Sequence, residues 1–335
     1  MELNIVTLPQ FTRLAGVIFE DGLKAVEMNA KNSGIFQMES IPANSGNTRD
    51  YTEIDLEQYA DSKPEGNQAG RARVQVGYNK VATARRIAKD IGITIEMRKY
   101  NKYQDVVRRL TSLAELPMRR LELDLSHRLG FGTATTYTNK DAETLDISVG
   151  DTLALWSTAH TVTGVSTTYR NRLAGNPALS KGALEGMERL AVEETINNLG
   201  EKVGMSFDIL WTTDDPVTVN TALEYLNSVA APDFANSGVT NVYKAKYKHV
   251  RLPLVATTAA GLVDNTKRRF WGLSSSKLST IHCGIWETPY LKTPSELNAG
   301  EEFSTDDWNF GVRASYGIAT VVGRGNLFSS GDATA

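Results

Sequence analysis

Tyr51-Thr52-Glu53-Ile54-Asp55-Leu56-Glu57 places an acid at every second position, with Thr52, Ile54 and Leu56 between them. Arg71-Ala72-Arg73-Val74-Gln75-Val76-Gly77-Tyr78 alternates in the same way, with the opposite charge on its polar face. A period of two is the signature of strands, and opposite charges on facing strands favour pairing. The link, Gln58–Gly70, is polar and broken by Pro64, Gly66 and Gly70, as a wide hairpin tip requires. Asn47–Lys102 therefore reads as a long charged hairpin with its continuation. Two strands alone are marginal in water, so the thin apolar side needs a cover from outside. The expected cover is another copy of the same chain; the plainer alternative is a solvated arm.

The charges around this segment are segregated. From Glu39 to Glu65 there are seven acids against Arg49 and Lys63, and from Arg71 to Lys102 nine bases against Asp90 and Glu96. An exposed ion pair contributes only about 0–1 kcal/mol, so one chain gains little from them. Repeated over identical contacts, such pairs set register and partner choice.

The totals bound the function. A chain of 335 residues, 41% hydrophobic and 22% charged, has ample length for a core and an ordinary soluble composition. A formal charge of -3 argues against a dedicated nucleic-acid binder. One cysteine, Cys283, allows no internal disulfide and fits a reducing compartment. No apolar run is long enough to span a membrane, and Met1–Gln10 carries Glu2 and no basic run, unlike a signal peptide.

Along the chain, Phe11, Leu14, Ala15, Ile18, Ala25 and Val26 form a helical stripe, weakened by Gly16 and Gly22, in an N-terminal arm. After the hairpin a connecting strand is expected at Ile91–Met97. In Tyr103–Leu129 the positions Val106, Leu110, Leu113, Pro117, Leu121 and Leu125 make one stripe. At ~1.5 Å per residue this helix runs about 40 Å. Pro117 should kink it without ending it, because the stripe resumes in phase, and Gly130 and Gly132 should stop it. Leu145–Trp156 is expected as a strand, Ser157–Pro177 as an irregular loop, and Lys181–Leu199 as a helix capped by Ser180. Phe207–Thr212 is expected as a strand, and Asp215-Pro216 opens a helix to Ser228 with Val219, Leu223 and Leu226 inward. Val239–Val255 and Phe270–Trp286 should add strands. From Trp308 to Val322 the alternation is unbroken over fifteen residues, a strand of roughly 50 Å that suits a sheet lying beside the long helix.

Catalytic chemistry finds little support. His127, His160, His249 and His282 make no metal-ligand spacing with one another or with Cys283. Ser157 and His160 could serve as nucleophile and base of a soluble hydrolase, a distant alternative: the serine lacks a glycine elbow and no acid is assignable as orienter. His282 and Cys283, adjacent on a strand, would point to opposite faces. Asp214-Asp215 read as helix caps, and Glu301-Glu302 with Asp306-Asp307 as a solvated loop. Tyr243-Lys244-Ala245-Lys246-Tyr247-Lys248-His249 could grip nucleic acid, but lysines on a strand more often protect a sheet edge. No cofactor motif is present.

An N-terminal arm, a long charged hairpin, a kinked spine helix, an α/β subdomain and a long late strand, in this order, make an α+β chain that resembles the major capsid proteins of tailed phages, the Hong Kong 97-like fold. Two motifs are similar to the Mu-type major head subunit branch. One is Leu155-Trp156-Ser157-Thr158-Ala159-His160 followed by Leu179-Ser180-Lys181-Gly182-Ala183-Leu184; the other is Gly311-Val312-Arg313-Ala314-Ser315-Tyr316-Gly317-Ile318-Ala319. The resemblance covers nearly the whole chain. It implies an N-terminal arm (1–43), a hairpin extension or E-loop with its connecting strand (44–97), a peripheral domain (98–156 and 306–335) and an axial domain (157–305). It also implies a non-enzymatic head protein without cofactor or metal, assembling into hexamers and pentamers of an icosahedral shell around double-stranded DNA. Scaffolding, portal and decoration proteins would be its partners, and the virion capsid, assembled in the bacterial host cytoplasm, its location. Crosslinking and N-terminal cleavage, known in the family, are not carried over: Met1 is present and no lysine–asparagine pair is assignable. The physical logic agrees, since closed assembly multiplies modest contacts and a near-neutral subunit encloses DNA without gripping it. The subunit contacts are expected to involve Glu53, Asp55, Glu57, Arg71, Arg73, Arg85 and Arg86. An encapsulin-type compartment enclosing an enzyme cargo is the runner-up.

Overall fold

The computed structural model describes residues 8–94, 96–97, 100, 103–204, 206–232, 239–294 and 307–331. Expectations that fall on Met1 and Glu2, on Arg98, Lys99 and Lys102, and on Glu301, Glu302 and Asp306 lie outside the described residues.

Two four-stranded sheets share one long helix. The chain opens with helix α1 (Leu8–Ala25) and strand β1 (Phe36–Ser40), then the hairpin strands β2 (Thr48–Leu56) and β3 (Val74–Thr83), and β4 (Arg85–Ile93). The spine helix α2 (Tyr103–Gly130) follows, and after it the short pairs β5 (Thr136–Thr138) with β6 (Thr144–Asp146) and β7 (His160–Val162) with β8 (Val165–Tyr169). Helix α3 (Lys181–Glu194), β9 (Ile209–Thr212), helix α4 (Pro216–Asn227), β10 (Lys248–Arg251) and β11 (Trp271–Ser274) come next. Strands β12 (Ile281–Lys292), β13 (Trp308–Thr320) and β14 (Asn326–Ser329) follow. The first sheet has the order β1-β12-β13-β4 and the second β10-β9-β11-β14.

Helix α2 runs through Pro117, which is buried, and its stripe of Val106, Leu110, Leu113, Leu121, Leu125 and Leu129 is buried throughout. Pro117 lacks an N–H, so one carbonyl of the preceding turn loses its helical donor while the shared apolar face holds both halves in place. The first half packs with Phe11, Ala15 and Phe19 of α1 and with Phe310 and Val312 of β13. Gly22 is an asset there: a Cβ on it would stand 2.7 Å from that of Ala114, so its absence lets α1 and α2 approach. The second half joins the two sheets in one core that includes Ile281, Tyr316, Trp211 and Phe328. Helices α3 and α4 cover the second sheet through Leu184, Met187, Leu190, Ala222 and Leu226.

Both expected caps are present. Ser180 Oγ accepts the Ala183 N–H at 3.2 Å, and the Asp215 carboxylate accepts the Thr218 N–H at 3.3 Å. On α4 the inward residues are Val219, Ala222, Tyr225 and Leu226, while Leu223 faces out. Helix α3 stops at Glu194 rather than Leu199, because Thr195 turns extended and Asn197 Oδ1 accepts the N–H groups of Leu199 and Glu201 in a tight turn.

Other boundaries also differ. The connecting strand is β4, which begins at Arg85 and ends at Ile93. Of the strand expected over 145–156, β6 retains Leu145 and Asp146. Beyond it, Asp146 Oδ1 accepts the Ser148 N–H, Asp151 Oδ1 accepts the Leu153 N–H, and Thr152 adopts a positive φ of 66°. These local side-chain bonds compete with a ladder. The supposed loop 157–177 contains the β7–β8 hairpin, turning at Gly164 with φ 83°. In 239–255 the strand is confined to β10; Tyr243 and Tyr247 are buried around a turn in which Ala245 has φ 55°. Strand β13 lies in the first sheet and β14 in the second.

Candidate functional site

The hairpin pairs as expected, and its apolar side is the one left on solvent. In its outer half Ile54 lies opposite Val76 and Leu56 opposite Val74. These four aliphatic side chains are 59, 54, 58 and 58% exposed, forming a two-by-two patch on solvent. The acidic side faces the body of the molecule. Glu53 and Asp55 both reach the guanidinium of Arg324, at 3.1 Å in the case of Asp55. Asp55 Oδ2 also accepts the Asn198 N–H at 2.8 Å, and Glu201 Oε2 accepts the Gln58 N–H at 3.1 Å. Burial drives the Arg324 guanidinium down to about 10, so this cation is held where water solvates it poorly.

The base of the hairpin is anchored by rings and ion pairs. Tyr51 stacks on His282 with centroids 4.3 Å apart, and its hydroxyl donates to Glu39 at 2.9 Å. Burial, with that carboxylate beside it, raises the Tyr51 phenol well above its ordinary value. Trp286 Nε1 donates to the Gly46 carbonyl at 2.8 Å. On β3, Lys80 Nζ donates to Asp146 and Ser148, both at 2.8 Å, and Tyr78 shares a 2.7 Å hydrogen bond with Thr161.

The charged residues expected at subunit contacts fall into four groups. Glu53 and Asp55 are engaged inside the chain by Arg324 and Asn198. Glu57 meets Arg73 across the hairpin at 3.1 Å, and hydrogen bonds from the Arg73 backbone and side chain hold its carboxyl below the usual range. Arg85 stands between Asp124 (3.6 Å) and Glu143 (3.1 Å), and Arg86 meets Glu287 at 3.1 Å. Arg71 is exposed in the link, because β3 starts at Val74. Opposed charges across the two strands are thus realised at Glu57 and Arg73, while the other acids find a distant arginine.

The Ser157 and His160 pair does not form a catalytic arrangement. The structure supplies the acid that sequence spacing missed, Asp151, whose Oδ2 lies 2.7 Å from His160 Nδ1. However, His160 is fully buried and its Nε2 lies 3.1 Å from the Leu155 carbonyl, so the nitrogen that would take a serine proton is occupied. Ser157 Oγ accepts the Ala159 N–H instead, at 3.2 Å. His282 and Cys283 diverge, the ring onto Tyr51 and the thiol into the core, where burial raises the thiol to about 12. In the Tyr243–His249 segment Lys246 bonds Glu188 and lies over the Tyr243 and Tyr247 rings, at 5.1 and 5.5 Å. Lys248 lies on β10, an edge strand of the second sheet. Among the described residues no three ligating side chains converge as a metal site, and no helix is long and apolar enough to cross a membrane.

No protein-family model and no curated protein matches the chain. Among solved structures, the capsid of Myoviridae phage XM1 matches with a TM-score of 0.51 and 11% identity, over 90% of this chain and 91% of that one. A structure from Mycobacterium phage Adephagia matches with a TM-score of 0.51 and 12% identity, over 93% and 92%. A virus-like particle from Pyrococcus furiosus aligns over 95% and 98% with a TM-score of 0.48 and 12% identity. The chain therefore has a mixed α+β fold of the kind found in phage capsid structures.

Proposed function

We propose that this chain is the shell-forming subunit, the major capsid protein, of a tailed double-stranded DNA bacteriophage, on the Hong Kong 97-like plan and of the Mu-type branch. The observation that carries this is the orientation of the hairpin. Its polar side is satisfied within the chain, while Ile54, Leu56, Val74 and Val76 are offered to solvent on an extended arm. An exposed aliphatic face on a two-stranded arm is a liability for a monomer and an asset for a chain that meets copies of itself. In a closed shell each arm has a neighbour, so a contact of modest strength is repeated at every subunit. Arg71, Arg73 and Arg86, exposed beside the arm, contribute to register between copies; Glu53 and Asp55 contribute indirectly, by fixing the arm. Hexamers and pentamers built from such contacts enclose the genome, with scaffolding and portal proteins as assembly partners.

Electron microscopy of the purified chain, paired with light scattering, tests this. Shells, tubes or five- and six-membered rings are expected. Shells enclosing an enzyme cargo and no nucleic acid, isolated from the native source, would reassign the chain to an encapsulin-type compartment. A chain that stays monomeric at high concentration, with scaffolding protein supplied, would overturn self-assembly.

A further inference from the structure

The hairpin's polar face closes over a single cation. Arg324 stands between β13 and β14 in Gly323-Arg324-Gly325 and is 7% exposed. Nη1 donates to the Ile196 carbonyl at 2.7 Å, and Nη2 faces the carboxylates of Glu53 and Asp55. The carbonyl belongs to the tight turn 196–202, which Asn197 braces internally and which also supplies the Asn198 N–H to Asp55 and the Glu201 carboxylate to the Gln58 N–H. The turn and Arg324, bonded to one another through the Ile196 carbonyl, make a cradle in which the hairpin sits. Gly77 completes the fit, because a Cβ there would overlap the Glu53 carboxylate and the Asn198 amide.

The balance of charge makes the arrangement depend on one residue. Two carboxylates share one guanidinium, and all three groups are largely withdrawn from water. Remove the guanidinium and two like charges face a poorly hydrated space with the Asn198 N–H for one of them; a buried charge left without its partner is strongly disfavoured. The middle of the hairpin, just beyond its anchored base, offers a place to bend. Thr52 lies opposite Asn79 and Ile54 opposite Val76, so the register shifts between them, where β3 carries Gly77.

We propose that Arg324 is a positioning residue for assembly, a latch that holds the hairpin polar side inward and so keeps its aliphatic face turned to a neighbouring copy. Without it the outer halves of β2 and β3 remain paired but swing about the register shift between Thr52 and Ile54, beyond the anchored base, and the face loses its fixed direction. The consequence for assembly rests on the capsid reading above; the latch itself is a property of the single chain.

Hydrogen exchange on the unassembled full chain at low concentration reads the latch through the Asn198 and Gln58 amides. Arg324→Gln should speed exchange at both, by on the order of a hundredfold at Asn198, with the amides of β9 and β11 unchanged. Arg324→Lys should restore part of the protection, which a merely space-filling role would not predict. Should Arg324→Gln fail to fold, the doubly substituted Glu53→Gln, Asp55→Asn chain loosens the same amides from the hairpin side alone. Wild-type exchange at Asn198 in either folded variant overturns the proposal. Loosened amides with normal shells would overturn the link from pose to assembly. A wild-type chain that never assembles would overturn the capsid reading while leaving the latch standing.

Discussion

Replacing Ile54 and Val76 together by Thr removes most of the apolar character of one cross-strand pair while keeping β-branching, so the strands retain their local preference. Complete burial of such a side chain is worth about 1.5–3 kcal/mol relative to full exposure. Both residues are a little over half exposed in the single chain, so about 1 kcal/mol each remains to be gained when a neighbour covers them. The pair therefore weakens each contact by about 2 kcal/mol, roughly thirtyfold in its association constant. In a closed shell every subunit offers one arm and receives one. The free energy per subunit then changes by one contact, and the critical concentration for assembly should rise by the same roughly thirtyfold. The isolated chain should hardly notice, because substitutions at exposed sites usually fall within about 0.5 kcal/mol. Light scattering against concentration gives the first quantity and calorimetry of dilute subunit the second. An unchanged critical concentration would refute docking through this face. A fall of several degrees in Tm would show that the face is buried within the single chain and that the outward orientation is wrong.

Two further outcomes test the core. Burial holds the His127 imidazole at about 4, so the ring is neutral in the fold while the unfolded chain protonates below about 6.5. Its contribution is complete above pH ~6.5 and lost as pH falls through about 4, about 3 kcal/mol over that window; the urea midpoint of the subunit should follow this slope and flatten in His127→Gln, and an equal slope in that variant would remove His127 as the cause. In β11, a Cβ on Gly272 would overlap the Leu327 carbonyl oxygen and the Trp211 ring, so Gly272→Ala should cost about 3 kcal/mol or more and sharply lower soluble yield; a wild-type Tm would refute that packing.

Patterns that depend on neighbours in sequence are the ones the chain announces. Ser180 and Asp215-Pro216 cap their helices because a side-chain oxygen two or three residues from an orphan N–H needs no distant partner. The stripe through Pro117 and the alternation from Trp308 survive because each is long enough to outvote one unfavourable residue. Short elements gave way where a side chain found the backbone first, as Asp146 and Asp151 do in the segment expected as a strand. His160 shows the same limit in the candidate site: Asp151 is nine residues upstream and bonds it at 2.7 Å, but spacing alone does not single it out.

The hairpin shows the limit most sharply, and there the missing information is also the functional information. Alternation over 51–57 and 74–78 defines two faces and leaves open which one turns inward. Ordinary burial would choose the aliphatic side, and the charge pattern read alone offers the acids to a neighbour. The decision belongs to Arg324, 269 residues beyond Asp55, whose guanidinium makes the acidic side the one that can be satisfied internally. Once that side is fixed, the aliphatic side has nowhere to go within the chain. The residue that completes the fold of the arm is thus the same one that leaves it incomplete as a monomer, and stability of the subunit and demand for a partner have a single origin.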